Sequence, residues 1–400
     1  MTTAPDLVVV GAGVLGTWTA LRASERGRST VLLDAFGPGD IRATSGDESR
    51  IIRSSHGADD LLPRWSRESR RAWIALGEES GSPIFEPCGV AWFARRANGF
   101  EAESEATLRA LAIPTTRLTP AEAADRWPIR ADDLAFVLHE PEAGALRARD
   151  GVRVAAEAFR RRGGDIRLAR VRPGRVRSRR LLEVVADDGR RIPADAFVFA
   201  AGPWLATLFP AIVGPMLSVT RQDVVYIGPP AADPRWTSAE HPAWIDFDGS
   251  FYGIPSIGGR GFKIAPDFYG PPVDPDAVDR VVEPDSIATV RAYLARRFPD
   301  LAAEPVVETR VCQYETTLDT HWLIDRHPEW ENAWLVGGGS GHAFKHGPRI
   351  GSYVIDRLDG AADAAVDDRF SLARPRSLPP GDPRGAPPAR PLPARPATTR

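Results

Sequence analysis

Cysteine, methionine and lysine each occur only twice in the 400 residues. Two cysteines, Cys88 and Cys312, argue against a disulfide scaffold and point to a reducing cytoplasm. No apolar run approaches the roughly 20 residues that a membrane span needs, and the N-terminus lacks the basic region of a signal peptide. Neither sign of charge dominates: 51 basic and 53 acidic side chains leave a formal −2, so neither nucleic acid nor a membrane surface is expected as a partner. Internal repeats are absent, and no metal site is expected.

The scarcity of lysine is informative. Lysine occurs only at Lys263 and Lys345, and every other cation is arginine. Arginine is a permanently charged planar fork, whereas lysine is a compact charge with a tunable pKa. A chain that uses arginine wherever either serves retains lysine where arginine would fail. Both lysines are therefore candidate functional residues.

The chain begins with a βαβ pattern. Leu7 to Val10 is a short apolar run of the kind found in buried parallel strands. Gly11, Gly13 and Gly16 follow as G-x-G-x-x-G, then a helix from about Val14 to Arg26, then a strand from Thr30 that ends in Asp34. The glycines permit a tight turn, approach of the backbone to a pyrophosphate, and close helix–strand packing; the acid reaches ribose hydroxyls. This order predicts an ADP-containing cofactor without choosing between NAD and FAD. A second glycine cluster, Gly337 to Gly341, follows the apolar Trp334–Val336. Chain that leaves a nucleotide domain and returns to it suits a flavoprotein.

Between these ends the pattern is mixed. Helices are predicted over about 62–77, 150–162 with Asp150 as N-cap, 284–297 and 347–358, and strands over about 89–93, 135–139, 223–227 and 250–264. The fold class expected is α/β: a discontinuous Rossmann-like FAD-binding domain (1–80, 145–215 and 308–370) with a mixed, antiparallel-leaning substrate domain (81–144 and 216–307). The Pro- and Arg-rich residues 371–400 have little to bury and are expected to be disordered.

Thr44 to Arg53 places small residues, Ser45 among them, where a cofactor would approach, and two arginines around Ile51 and Ile52. In a strand, Arg50 and Arg53 face opposite sides, so one can meet a flavin and the other a ligand carboxylate. Spacing alone does not separate this from two surface arginines in an arginine-rich chain.

With Tyr252–Pro255, Gly261–Lys263, Cys312–Tyr314 and Ser340–Lys345 in the same order, the chain resembles the monomeric sarcosine oxidase and N-methyltryptophan oxidase group of FAD-dependent amine oxidases. The resemblance spans nearly everything but the tail. It implies FAD, attached covalently through Cys312. Arg310, two residues earlier on the same strand face, is expected as the cation that stabilises the sulfur. The resemblance also implies a substrate-carboxylate clamp of Arg53 and Lys345, and a cation, Arg50, near the flavin ring. Lys263 would activate O₂, Tyr252 and Tyr314 would line the cavity, and Gly338 and Gly341 would give close approach to the flavin. Alone, each tyrosine reads as a packing residue. Cys88 is expected to be buried and inert.

Two positions depart from the family. Gly46 replaces a histidine before the Arg-Ile-Ile-Arg run, and Asp267 replaces a cavity histidine four residues after Lys263. An acid at Asp267 would repel a simple amino-acid carboxylate or welcome a second cation. The expected function is oxidation of a small secondary or cyclic amine bearing a carboxylate. Hydride passes to flavin N5, giving an imine and, with O₂, H₂O₂, in a monomeric enzyme. A dehydrogenase using another acceptor, a biosynthetic cyclic imino-acid oxidase, and a non-catalytic flavin-binding interaction protein stay open as alternatives.

Overall fold

The computed structural model describes residues 4–378 and 382–384. Two large sheets organise the fold. The first has six strands. Strand β1 (Leu7–Val10) lies in its middle, between β2 (Thr30–Asp34) and Ala196–Phe199; Asp165–Leu168 and Ala333–Gly337 flank these, all parallel, and Leu323–Arg326 closes one edge antiparallel. Parallel strands are covered on both faces, and β1 accordingly has every residue buried. Helix α1 (Val14–Glu25) covers this sheet together with Gly347–Leu358. Gly351 makes their contact close: a Cβ there would lie 2.7 Å from the Trp18 backbone.

The second sheet has eight strands in the order 306–316, 218–227, 262–266, 251–254, 243–246, 90–94, 136–140 and 116–118. All pairs are antiparallel except Ala243–Asp246 with Val90–Ala94. Its apolar face packs on Pro284–Arg297, with Trp244 stacked on Tyr293. A small third sheet joins β3 (Ser49–Ile52) to Gly144–Arg147 and Phe85–Glu86. These sheets make the chain a mixed α/β fold with a Rossmann-like layer, as the sequence implies.

Three expectations shift. Val306–Thr316, which carries Cys312, pairs along its whole length with Ser218–Ile227, so it belongs to the eight-stranded sheet and not to the nucleotide layer. Helix Ala148–Arg161 starts two residues before Asp150, which sits in its first turn, where a carboxylate meets the positive end of the helix dipole, and not at the cap. The disorder expected from residue 371 does not hold for 371–378: Leu372 donates to Asp325, and Arg374 pairs with Asp319 at 2.6 Å. Residues 379–381 and 385–400 lie outside the described residues. Among the described residues, no helix is long and apolar enough to cross a membrane.

Candidate active site

The glycine fingerprint forms the turn from β1 into α1. Gly11 has φ +105°, and a Cβ on it would sit 2.3 Å from the Ala200 carbonyl oxygen, so only glycine fits. A Cβ on Gly16 would lie 1.8 Å from the Gly11 carbonyl oxygen. One Asp34 oxygen accepts from Ala12 N at 2.6 Å, and the Ser45 hydroxyl accepts from Val14 N at 3.0 Å. These bonds fix the acid and the serine at the start of α1.

A cavity of about 390 Å³ runs from here. Gly11, Gly13, Asp34, Thr44, Ser45, Arg50, Tyr314, Gly341 and His342 are among the residues that line it. Its walls hold two buried side-chain oxygens without hydrogen-bond partners, Thr44 Oγ1 and Glu315 Oε2. Burying such groups unpaired is costly, so the walls are incomplete without a polar guest. An elongated dinucleotide with ribityl and ribose hydroxyls fits that requirement, and FAD fits the cavity on this ground. Burial pushes Glu315 up to about 7, against the lowering influence of the Gly339 and Gly338 N–H groups.

The predicted glycine Gly338 is set back from this cavity. A Cβ there would meet Thr317, Leu217 and Leu323, whereas Gly339, Ser340 and Gly341 line the wall. Of the two glycines expected to approach the flavin, Gly341 lines this cavity and Gly338 does not. Cys312, Lys345, Arg53, Lys263 and Tyr252 are also absent from the cavity lining; Cys312 touches Arg50, and Lys345 donates to the His342 carbonyl, both of which line it.

Two groups of predicted residues converge beyond Arg50. In the first, Arg50 donates to Asp47 at 2.7 Å, to the Thr44 carbonyl at 2.7 Å and to the Cys312 sulfur at 3.3 Å. Arg310 does not serve the sulfur as expected: it pairs with Glu48 at 2.8 Å and with Glu308. Buried Lys263 donates to Asp47 at 2.5 Å and to the Ser49 carbonyl at 2.9 Å, and lies 5.6 Å from the Tyr252 ring centroid. Asp47 also accepts from the Tyr226 hydroxyl at 2.8 Å. Burial alone would raise the Asp47 carboxyl; Lys263 and Arg50 reverse this and hold it well below the usual range. Burial lowers Lys263, and Asp47 opposes that lowering. Asp47 is thus the hub of this group, and sequence reasoning passed over it. The signal was present, since it sits three residues before Arg50 in the same run.

In the second group, Arg53 and Lys345 stand together with three imidazoles. Arg53 donates to the Ser55 carbonyl and lies 4.9 Å from the Trp92 ring centroid. Lys345 donates to the His342 carbonyl at 2.8 Å. His56 is 5.4 Å from His346, centroid to centroid. Burial brings Arg53 down to about 10, and burial with Arg53 alongside drops Lys345 well below its ordinary value. Arg50 and Arg53 thus serve different neighbourhoods, as their placement either side of Ile51 and Ile52 implied. Tyr314 stands near both: its hydroxyl donates to Asp267 at 3.0 Å, and its ring packs against Gly341. Cys88 donates to the Gly89 carbonyl, and burial raises its thiol to about 11, which suits an inert role.

Comparison with known proteins identifies the family and the fold. A family model described as FAD dependent oxidoreductase, DAO, matches residues 6–357. The chain is 28% identical over 390 residues to monomeric sarcosine oxidase of Bacillus sp. strain B-0618, covering 94% of this chain and 97% of that protein. It is 25% identical over 380 residues to N-methyl-L-tryptophan oxidase of Yersinia pestis strain Pestoides F, covering 92% and 99%. The fold is shared with L-proline dehydrogenase from P. horikoshii, with a TM-score of 0.81 at 19% identity, over 93% of this chain and 98% of that one. The family match covers the glycine fingerprint, the Arg50–Asp47 hub and the Arg53–Lys345 group in one span, and the chain belongs to the FAD dependent oxidoreductase family.

Proposed function

We propose that this enzyme oxidises the C–N bond of a small secondary or cyclic amine bearing a carboxylate, with FAD held covalently at Cys312 and O₂ as acceptor. One observation carries the choice of substrate class. Lys345 is buried and Arg53 half-buried, the charge of Arg53 lowers Lys345, and among the described residues neither forms an ion pair with a carboxylate. Glu140, an acid whose charge acts on both, is already engaged by Ser54 N, Ser55 Oγ and Trp92 Nε1. Unpaired buried cations are costly, and an incoming carboxylate relieves both. A bidentate arginine with a lysine beside it would also fix the orientation of a small substrate, and such positioning is a large part of what a site contributes to rate.

The remaining residues divide the work. Asp47 keeps the Lys263 ammonium charged and immobile, and a fixed cation stabilises negative charge developing on reduced oxygen. Arg50, with a guanidinium N–H 3.3 Å from the Cys312 sulfur, would hold that atom in position for the flavin. When bound, FAD supplies the two-electron acceptor that converts the amine to an imine and O₂ to H₂O₂.

The test is an aerobic screen for H₂O₂ across N-methyl and cyclic amino acids. Turnover of at least one of them is expected. A yellow protein inert towards the whole panel, while amines lacking a carboxylate are oxidised, contradicts the proposal.

A further inference from the structure

A second cavity, of about 270 Å³, shares no lining residue with the first. Asp47 links the two: it accepts from Arg50, which lines the first, and from Lys263, which lines the second. The loop 255–261 joins strand Phe251–Ile254 to strand Phe262–Pro266, which carries Lys263, and it supplies Ile257, Gly258 and Arg260 to the wall. A Cβ on Gly258 would lie 3.9 Å from Arg147 Nη1, so the loop stands close to Arg147, another wall residue. Gly258, Arg260 and Asp150 are exposed, whereas Lys263, Tyr226 and Ser49, which also line this cavity, are buried. The cavity therefore runs from solvent inward to Lys263.

Every charge in its wall is answered. Glu48 pairs with Arg310 at 2.8 Å, Arg149 at 3.1 Å and Arg260 at 3.4 Å. Arg147 pairs with Glu86 at 2.5 Å, Lys263 with Asp47 at 2.5 Å, and exposed Asp150 with Arg153 at 3.9 Å. This is the reverse of the Arg53–Lys345 group, which has no carboxylate partner among the described residues. A wall of paired charges offers an entering carboxylate nothing in return for its lost hydration. A small neutral molecule has little hydration to lose. O₂ and H₂O₂ are such molecules, and Lys263 at the inner end is the cation read above as stabilising reduced oxygen.

Resting on that reading of Lys263, we propose that this second cavity is the passage by which O₂ reaches Lys263 and H₂O₂ leaves, separate from the Arg53–Lys345 group that takes the carboxylate of the amine. The loop 255–261 forms its rim, and Ile257 and Arg260 are the side chains whose bulk sets its width. The two substrates then do not compete for one entrance, and O₂ can arrive while the imine is still in place.

The experiment uses the full-length, FAD-loaded enzyme, reduced photochemically without O₂ and then mixed with buffer of known O₂ content. Return of the visible flavin absorbance is the readout. Arg260→Cys is capped by disulfide exchange with benzyl methanethiosulfonate, and the cap is later released with dithiothreitol and removed by desalting. One folded protein is thus measured open, plugged and reopened, and wild type carried through the same steps controls for Cys88. Ile257→Trp narrows the passage permanently; thermal melting and the oxidised flavin spectrum check that its fold and the ring surroundings are kept. Capping is expected to slow reoxidation at least fivefold, and release to restore it to within twofold of wild type. Ile257→Trp is expected to be slowed at least threefold, and uncapped Arg260→Cys less than twofold. Unchanged reoxidation in the capped protein, or a slowing that release does not reverse, overturns the inference, as does a folded Ile257→Trp that keeps the wild-type rate. Lys263→Met separates the two readings. If it reoxidises slowly while capping changes nothing, the oxygen role of Lys263 stands and only this inference falls. If it reoxidises as fast as wild type, that role fails and takes this inference with it.

Discussion

Arg50 and Cys312 meet across 262 residues of sequence, with a guanidinium N–H 3.3 Å from the sulfur. The contact joins β3 of the small third sheet to the middle of Val306–Thr316 in the eight-stranded sheet, and Asp47 and the Thr44 carbonyl also accept from the guanidinium. Acid-precipitated wild-type protein should stay yellow. Cys312→Ser should release the colour into the supernatant, and Arg50→Met should release a large part of it after short incubation with FAD. Retention of colour by Cys312→Ser would move the attachment elsewhere.

Asp47→Asn should be the most damaging polar change in the site. It leaves Lys263 and Arg50 buried without their carboxylate, and breaking such a network costs about 3–5 kcal/mol. Urea denaturation measures that loss. In protein that still folds, stopped-flow reoxidation of the reduced enzyme by O₂ should slow by roughly tenfold or more, and anaerobic reduction by substrate should slow much less. Lys263→Met should show the same split.

Gly16→Ala tests the packing of the fingerprint independently of charge. The added carbon would overlap the Gly11 carbonyl. Overpacking of this kind costs about 1–3 kcal/mol and displaces the turn. Thermal melting should fall and FAD affinity with it, whereas Gly163→Ala, whose Cβ meets nothing, should cost only its left-handed backbone strain and leave FAD binding intact.

Glu315 gives a pH signature in flavin-free protein. Its folded value, about 7, lies above its ordinary 4.5. Its protonated form is therefore the one the fold favours. Its contribution is full below about 4.5 and is lost as pH rises through about 7, by roughly 3 kcal/mol at most. Denaturant titrations at pH 5 and pH 8 should show wild type losing more stability across this interval than Glu315→Gln. An equal loss in both would remove Glu315 as the cause.

Much of this was legible in the sequence because it is local. The βαβ unit, its glycines and Asp34 declare themselves through periodicity and turn chemistry within 34 residues. Helices Pro284–Arg297 and Gly347–Leu358 were readable from their proline starts and apolar spacing. The two lysines stood out because arginine is used everywhere else. What the sequence hid is set by long-range pairing. Nothing local says that Cys312 lies on a strand of the eight-stranded sheet, or that its cation is Arg50 and not its strand neighbour Arg310. Asp47 looked like one polar residue among several until three partners met on it.

The carboxylate clamp is open to one direct comparison. Each amino acid that yields H₂O₂ is paired with its decarboxylated amine, and kcat/KM is measured for wild type, Arg53→Met and Lys345→Met. Wild type should prefer the acid by about 100-fold or more, and either substitution should erase most of that preference, on the order of 2–3 kcal/mol, while the rate with the bare amine changes little. Equal turnover of acid and amine by wild type, or an undiminished preference in Arg53→Met, would contradict the account.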